Sequence, residues 1–470
     1  MASYSRYHIP SSPAPNIAPH PRRFRVRVNR VQLARLILAE LVHYRGNLPV
    51  VLSRPCVYGV FSGPIGGFAP RPHRCVGCLR CTVQYPEIVQ IIPNPGRMRL
   101  GDSYFTPDIV DTVLYEAATG RVPVRGAGYR GSFGGEGWDA MWTDMSEIVR
   151  PTRDGIHGRE FISTSVDLGP RPDFLTFDSS GKPAGEALRL ISLPVPFIFD
   201  APPLSAESVN LYRALVASAD GIQSLAVVPL RRALDQGLTS ASVVPLVRAS
   251  EVAALSDLTP QPPLNGKGAQ RAFRMIELDG WNEAAYRALQ QSYPESLICV
   301  RLPFEEEVTL LLRQGVRLFH LTADYHGRAG KAFILEAIRS VHERLVAEGL
   351  REQTTLIGSG GIVAAEHAPK AIICGLDAVA LDASLLIAVQ GRFRGECLDR
   401  ASAQVEMPSF EVAWAAQRLM NLAASWRDQM LEILGAMGLR EVRRLRGELG
   451  RAMFQAELER EAFAGIEGYA

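Results

Sequence analysis

Three of the chain's seven cysteines crowd into one run, Arg74-Cys75-Val76-Gly77-Cys78-Leu79-Arg80-Cys81. Two residues between successive thiols let a single turn of chain aim three sulfurs at one point, as in loops that grip iron–sulfur clusters. In the bacterial C-x2-C-x2-C-x3-C-P run a fourth cysteine precedes a proline. Here Tyr85 stands in that place, before Pro86. The fourth ligand is then either Cys56, across a Gly/Pro-rich stretch upstream, or absent, and these alternatives correspond to a 4Fe-4S or a 3Fe-4S cluster. Zinc is the rival occupant, completed by His73 or Cys56, but zinc favours two separated pairs of cysteines. Electron transfer is the first chemistry the sequence suggests.

A second constellation lies near the other end. Gly358, Ser359, Gly360 and Gly361 end an apolar run and open a helical one, and Asp382, Ala383 and Ser384 do the same one unit later. Glycines let backbone N–H groups approach a phosphate, and turns after the seventh and eighth strands of a barrel form a frequent phosphate site. The cofactor that suits such a site beside an iron–sulfur centre is FMN. Glycines serving only tight turns, or another phosphorylated ligand, are the alternatives.

The elements that must position these residues follow from periodicity. Short apolar runs at 196–200, 225–230, 242–247, 274–278, 297–302, 318–323, 355–358 and 378–382 read as eight strands. Helical patterns fall between most of them, at 205–219, 283–291, 305–314, 330–348 and 364–375. This predicts an α/β fold, a (β/α)8 TIM barrel over 186–400, with an open doubly wound sheet as the alternative. The connection 248–273 is long and Pro-rich, which leaves its helix open. Residues 401–470 read as a C-terminal helical tail. Residues 31–185 read as the iron–sulfur and lead-in region, with a helix over 31–44 and a strand over 87–92. Residues 1–30, basic and Pro-rich, read as a flexible arm or a strand docking on a partner. A transit peptide is the rival there, but the prolines interrupt any amphipathic helix.

Bulk properties exclude several classes. The chain has 470 residues, 47% hydrophobic and 21% charged, with a net charge of +2. That balance gives no reason to expect nucleic acid as a partner. No apolar run has the length of a membrane span. An odd, clustered set of cysteines argues against a disulfide framework and for the reducing cytoplasm. Cys299 and Cys374 fall in strand and helix patterns and read as core residues.

Residues 348–382, with Thr355-Leu-Ile-Gly-Ser-Gly-Gly361 and Cys374-Gly-Leu-Asp-Ala-Val-Ala-Leu-Asp382, resemble the FMN-binding synthase barrel of the glutamate synthase family. So does the tail from Gln417 to Arg446, and 145–160, with His157 and Glu160, is similar to a lead-in of related proteins. The resemblance implies an FMN-dependent oxidoreductase acting on CH-NH2 donors in glutamate biosynthesis. Electrons would pass from the cluster, a ferredoxin-like segment, to FMN and on to a 2-oxo acid or imine-type acceptor. It also implies an electron-donor subunit, a ferredoxin or an NAD(P)H reductase. A separate glutaminase subunit would be needed, since no cysteine nucleophile follows Met1. Where the family carries a lysine on the fifth strand, this chain has Arg301. Where it carries a Gly-Gly-Thr-Gly-Ala-Ser loop after the sixth, this chain has Asp324, Tyr325, His326, Gly327 and Arg328. Arg301, Asp324, His326 and Arg328 are therefore the candidate catalytic groups: Arg301 for a carboxylate or for charge at a reduced ring, His326 as acid or base. A catalytically degenerate barrel acting as a structural or electron-relay subunit is the alternative function.

Overall fold

The computed structural model describes residues 7–52, 56–123, 135–144, 162–170, 176–184, 189–258 and 273–466. The chain divides into two compact units. One comprises Asn16–Asp102 with Val124–Gly131, the other Met1–Pro15, Ser103–Pro123 and Ser132–Ala470.

In the larger unit eight parallel strands close into a ring in chain order. They are β1 (Phe197–Phe199), β2 (Ala226–Pro229), β3 (Val243–Val247), β4 (Met275–Asp279), β5 (Leu297–Pro303), β6 (Leu318–Thr322), β7 (Thr355–Ser359) and β8 (Ala378–Leu381). Closure is through β8 and β1, with Leu381 opposite Phe199. All five residues of β3 are buried. Helices cover the outside of the ring and side chains fill its inside, so these strands read as continuous apolar runs rather than alternating ones. The open sheet is thereby excluded.

The helices from β1 onward that bear on the site are α1 (Val209–Gly221), α2 (Leu230–Gln236), α3 (Glu283–Ser292), α4 (Val308–Arg313), α5 (Ile334–Ala347), α6 (His367–Cys374), α7 (Ala383–Ala388) and α8 (Val412–Ala436). Several begin later than periodicity predicts, for identifiable reasons. Ser208, not Ser205, caps α1 by accepting from Leu211 N–H, while the Ser205 hydroxyl donates to Ala403 O. Phe304 N–H still extends the ladder to Thr322 O, which delays α4. A hairpin of Arg328–Ala329 with Ala332–Phe333 takes up the first residues expected in α5. Ala249–Asp257 forms a 3-10 segment after β3, and 259–272 lie outside the described residues, as do His157 and Glu160.

The C-terminal tail is anchored by α8. Arg418, fully buried, donates to Ala14 O at 2.6 Å and to Leu114 O at 3.4 Å. Trp426 Nε1 donates to Glu116 Oε2 at 3.0 Å and its ring meets Phe197 edge-on. Cys299 and Cys374 are fully buried, as expected. Burial pushes the Cys374 thiol up to about 12.

In the smaller unit the basic stretch expected to be a flexible arm is instead partly ordered. Phe24–Val28 pairs antiparallel with Val89–Pro93 of the same chain, not with a partner. Alternating Phe, Val and Val supply the apolar face that a strand needs. The next helix, Arg30–His43, starts at Asn29, whose side chain accepts from Gln32 N–H. No described helix is long and apolar enough to cross a membrane.

Candidate functional site

The cysteine loop is shaped by two left-handed residues, Gly77 at φ +75° and Leu79 at φ +59°. They fold the backbone back between successive thiols. A side chain at Gly77 would collide with the Phe24 ring, 2.3 Å from the position its Cβ would take, so the strand 24–28 is part of the loop's support. Cys56, Cys75, Cys78 and Cys81 line one small cavity together with Val60, Phe61 and Ile91. Burial raises the Cys75 thiol, opposed by the Gly77 amide that bonds to its sulfur; the nearby Cys81, Cys56 and Cys78 push it further. Burial likewise raises Cys81, against the Thr82 amide. Cys56 therefore joins the three loop thiols in space, as one of the two sequence alternatives requires. Among the described residues, no three of these sulfurs lie within 4.8 Å of one another. Four thiolates on one zinc, at about 2.3 Å each in a tetrahedron, would stand about 3.8 Å apart.

The ends of β7 and β8 converge as the sequence predicts. Gly360 lies at φ +98° and Gly361 at φ +66°. A Cβ on Gly360 would lie 2.5 Å from Asp324 O and 2.6 Å from Ala323 O, so only glycine lets the β7 turn lie against the β6 loop. Gly361 O accepts from Tyr104 Oη at 2.7 Å and from Trp138 Nε1 at 2.8 Å. Asp382 behaves differently from its neighbours. Its carboxylate accepts from Gly360 N–H at 2.9 Å and from Ala383 N–H at 2.5 Å. The amides expected to hold a phosphate thus hold a carboxylate of the chain itself. Burial pushes the Asp382 carboxyl up to about 7, with Asp200 adding to the rise and the two amides opposing it. Ser384 Oγ is fully buried and has no hydrogen-bond partner among the described residues.

Inside the ring, sequence reading singles out Arg301 but misses what surrounds it. Register places Arg301 of β5 beside His320 of β6. Arg301 makes a two-pronged bond to Asp200 at 2.7 and 2.8 Å and a third contact to Glu277 at 2.9 Å. Glu277 Oε1 is 2.8 Å from His320 Nδ1, and His320 Nε2 is 3.0 Å from Ser359 Oγ. A carboxylate only accepts, so His320 Nδ1 donates to Glu277. Burial opposes charge on Asp200, yet Arg301 and His320 override it and hold the carboxyl well below the usual range. Glu277 is lowered in the same way, with His320 the larger influence. Hydroxyl, imidazole and carboxylate stand in the order that activates a nucleophile. All three residues are at most 2% exposed, so the relay positions the strand ends rather than meeting a substrate from solvent. The signal available in sequence was a polar residue inside an otherwise apolar strand, as in Met275-Ile276-Glu277-Leu278 and Leu318-Phe319-His320-Leu321.

The loop after β6 holds the remaining candidates apart from Arg301. Asp324 Oδ1 accepts from His326 N–H at 2.9 Å and Arg328 N–H at 2.7 Å, which fixes the turn. His326 is buried, stacks on Tyr104 with centroids 5.3 Å apart, and approaches Glu396 at 3.7 Å. Arg328 is exposed on its hairpin strand. Tyr325 is buried and lies near Asp382, Asp200 and Arg301.

Residues 326–440 match the conserved region in glutamate synthase. The chain is 24% identical over 441 residues to the archaeal-type glutamate synthase [NADPH] of Dehalococcoides mccartyi, covering 80% of this chain and 86% of that one. It is 22% identical over 446 residues to the archaeal glutamate synthase [NADPH] of Archaeoglobus fulgidus, covering 80% and 85%. A shorter stretch of 122 residues is 34% identical to the archaeal glutamate synthase [NADPH] of Methanocaldococcus jannaschii, covering 24% of each chain. Among solved structures, a mutant flavocytochrome b2 with benzoylformate covers 70% of this chain and 79% of its own, at a TM-score of 0.39 and 10% identity.

Proposed function

We propose, from the match of residues 326–440 to the conserved region in glutamate synthase and the similarity to archaeal-type glutamate synthases over 80% of the chain, that this is an FMN-dependent oxidoreductase of glutamate synthase type, fed with electrons through an iron–sulfur cluster. The observation that carries the flavin assignment is the set of donors at the ends of β7 and β8. The amides of Gly360 and Ala383 already bind an anion, the carboxylate of Asp382. Beside them the Ser384 hydroxyl is buried without a partner. That donor set suits the phosphate of FMN. When bound, the flavin would supply hydride and single-electron chemistry that no side chain can.

The chain's own residues would hold and orient. Gly358, Ser359, Gly360, Gly361, Ala383 and Ser384 form the phosphate end. Arg301, whose charge is already matched by Asp200 and Glu277, would fix those two carboxylates at the strand ends beside the acceptor, a 2-oxo acid or imine. Asp324 shapes the loop that carries His326, the candidate acid or base, and Arg328, whose exposed charge would meet an anionic substrate. Cys56, Cys75, Cys78 and Cys81 are the four ligands of a 4Fe-4S cluster. The donor of electrons is a separate protein in the cytoplasm, and ammonia from glutamine would come from a further subunit.

The second reading, a barrel that serves as a structural or relay subunit, is favoured by one observation. Asp382 occupies the amides that the cofactor needs. Anaerobic purification of the full chain, with a visible spectrum, iron count and flavin extraction, separates the two. One FMN and about four irons per chain, with yellow absorbance bleached by dithionite, support the first. Iron without flavin would establish the second. Cys56→Ser is expected to leave a three-iron centre with its own paramagnetic signature; an unchanged iron count would remove Cys56 from the ligand set.

A further inference from the structure

Asp382 sits at the point where two strand ends present donors, and it uses them. Its two oxygens take the Gly360 and Ala383 amides separately. Around it stand Asp200, just past the end of β1, Arg301 from β5, Tyr325 from the β6 loop and Tyr104. The guanidinium in this set is already bonded to Asp200 and Glu277. A phosphate brought to the same amides would therefore meet a like charge with no free cation in that group to offset it. Asp382, Ala383 and Ser384 are each at most 3% exposed, so bulk water does little to screen that repulsion.

Building on the flavin reading above, we propose that Asp382 determines ligand specificity at the phosphate end: its carboxylate competes with the FMN phosphate for the amides of Gly360 and Ala383. The phosphate gains those amides only when the side chain withdraws. A flavin that lacks the phosphate does not contest them, so the penalty is specific to the phosphorylated form.

The test is to measure the affinity of flavin-free full-length chain for FMN and for riboflavin by flavin fluorescence quenching. Wild type is compared with Asp382→Asn, which removes the charge and keeps the shape, and with Asp382→Gly, which clears the space. Circular dichroism verifies the fold of each, and if the glycine variant does not fold the asparagine variant decides. FMN affinity is expected to rise at least about tenfold, the equivalent of ~1.4 kcal/mol, while riboflavin affinity changes less than about twofold. Equal shifts for both ligands, or no shift, would overturn the competition.

The outcomes also separate this inference from the flavin assignment. Wild-type chain that holds stoichiometric FMN and gains nothing on substitution refutes the competition and leaves the assignment standing. Wild-type chain without flavin whose variants take up FMN supports the competition and refutes the assignment for the native chain. Variants that bind neither flavin refute both.

Discussion

At the scale of single residues the barrel mouth is an electrostatic arrangement in which each charge depends on a named neighbour. Removing Arg301 would strip Asp200 of its two-pronged partner and leave Glu277 with His320 alone, both carboxylates still buried. Arg301→Met is expected to cost about 3–5 kcal/mol, read as a fall in the urea midpoint of the larger unit. Arg301→Lys should cost less, because it keeps the charge and loses only the two-pronged geometry. Equal midpoints for all three proteins would show that the carboxylates do not need the guanidinium. Asp382 makes a separate prediction. Its carboxyl is raised to about 7 from an ordinary 3.8, so the folded barrel binds that proton more tightly than the unfolded chain does. The resulting stabilisation is whole below about pH 4 and is lost as pH rises toward about 7. Every tenfold gain in proton affinity corresponds to about 1.4 kcal/mol, so the loss is on the order of a few kcal/mol. Asp200 and Glu277 are lowered instead, and their contribution is lost only on acidification below the ordinary carboxylate range. Urea midpoints at pH 5 and pH 7.5 should therefore differ in wild type and converge in Asp382→Asn. The same gap in both proteins would mean another group titrates.

At the scale of elements the decisive contact is backbone on backbone, the β7 turn against the β6 loop. Gly360→Ala should both strain a left-handed residue and drive a methyl into two carbonyls, with a lowered melting temperature and loss of any bound flavin. Gly315→Ala is the control: φ is +94° there too, but nothing lies within 4 Å of the added carbon. It isolates conformational strain, about 1–3 kcal/mol. If both variants melted alike, the packing of the two turns would carry no weight. These elements also show what a sequence can and cannot convey. The eight strands were legible because burial on both faces writes uninterrupted apolar runs such as Val243–Val247. The convergence of Gly360 with Ala383 was legible from the order of strands in a ring. The helix starts were less so, because Ser205 and Phe304 spend their hydrogen bonds on partners distant in sequence. Asp200, Glu277 and His320 were passed over for the same reason: what a polar residue within a strand faces is set by register across the ring. The role of Asp382 was hidden most deeply. A carboxylate beside glycines reads as part of a cradle until its oxygens are seen to take the amides.

At the scale of the whole molecule the net charge of +2 conceals a division. Residues 16–102 hold thirteen arginines and no lysine against Glu40, Glu87 and Asp102, a formal charge of +10, so the rest of the chain is acidic at −8. The basic part is the one that carries the cysteine loop, and Arg74 and Arg80 are exposed within that loop. Val57, at 87% exposed, and Val83, at 79%, add apolar surface to the same segment. If the cysteine loop holds the proposed cluster, an electron donor for such a surface would be an acidic protein, because complementary charge raises the encounter rate before any apolar contact forms. Reduction of the full chain by an acidic ferredoxin should accordingly slow by at least about tenfold between roughly 20 and 300 mM salt, as the Debye length shrinks from about 20 Å to about 6 Å. Arg74→Glu with Arg80→Glu should slow the low-salt rate and flatten its salt dependence, while the iron count, which the proposed thiol ligands would fix, stays the same. A rate indifferent to salt in wild type would show that the arginines serve this unit's own folding and that the donor docks by other means.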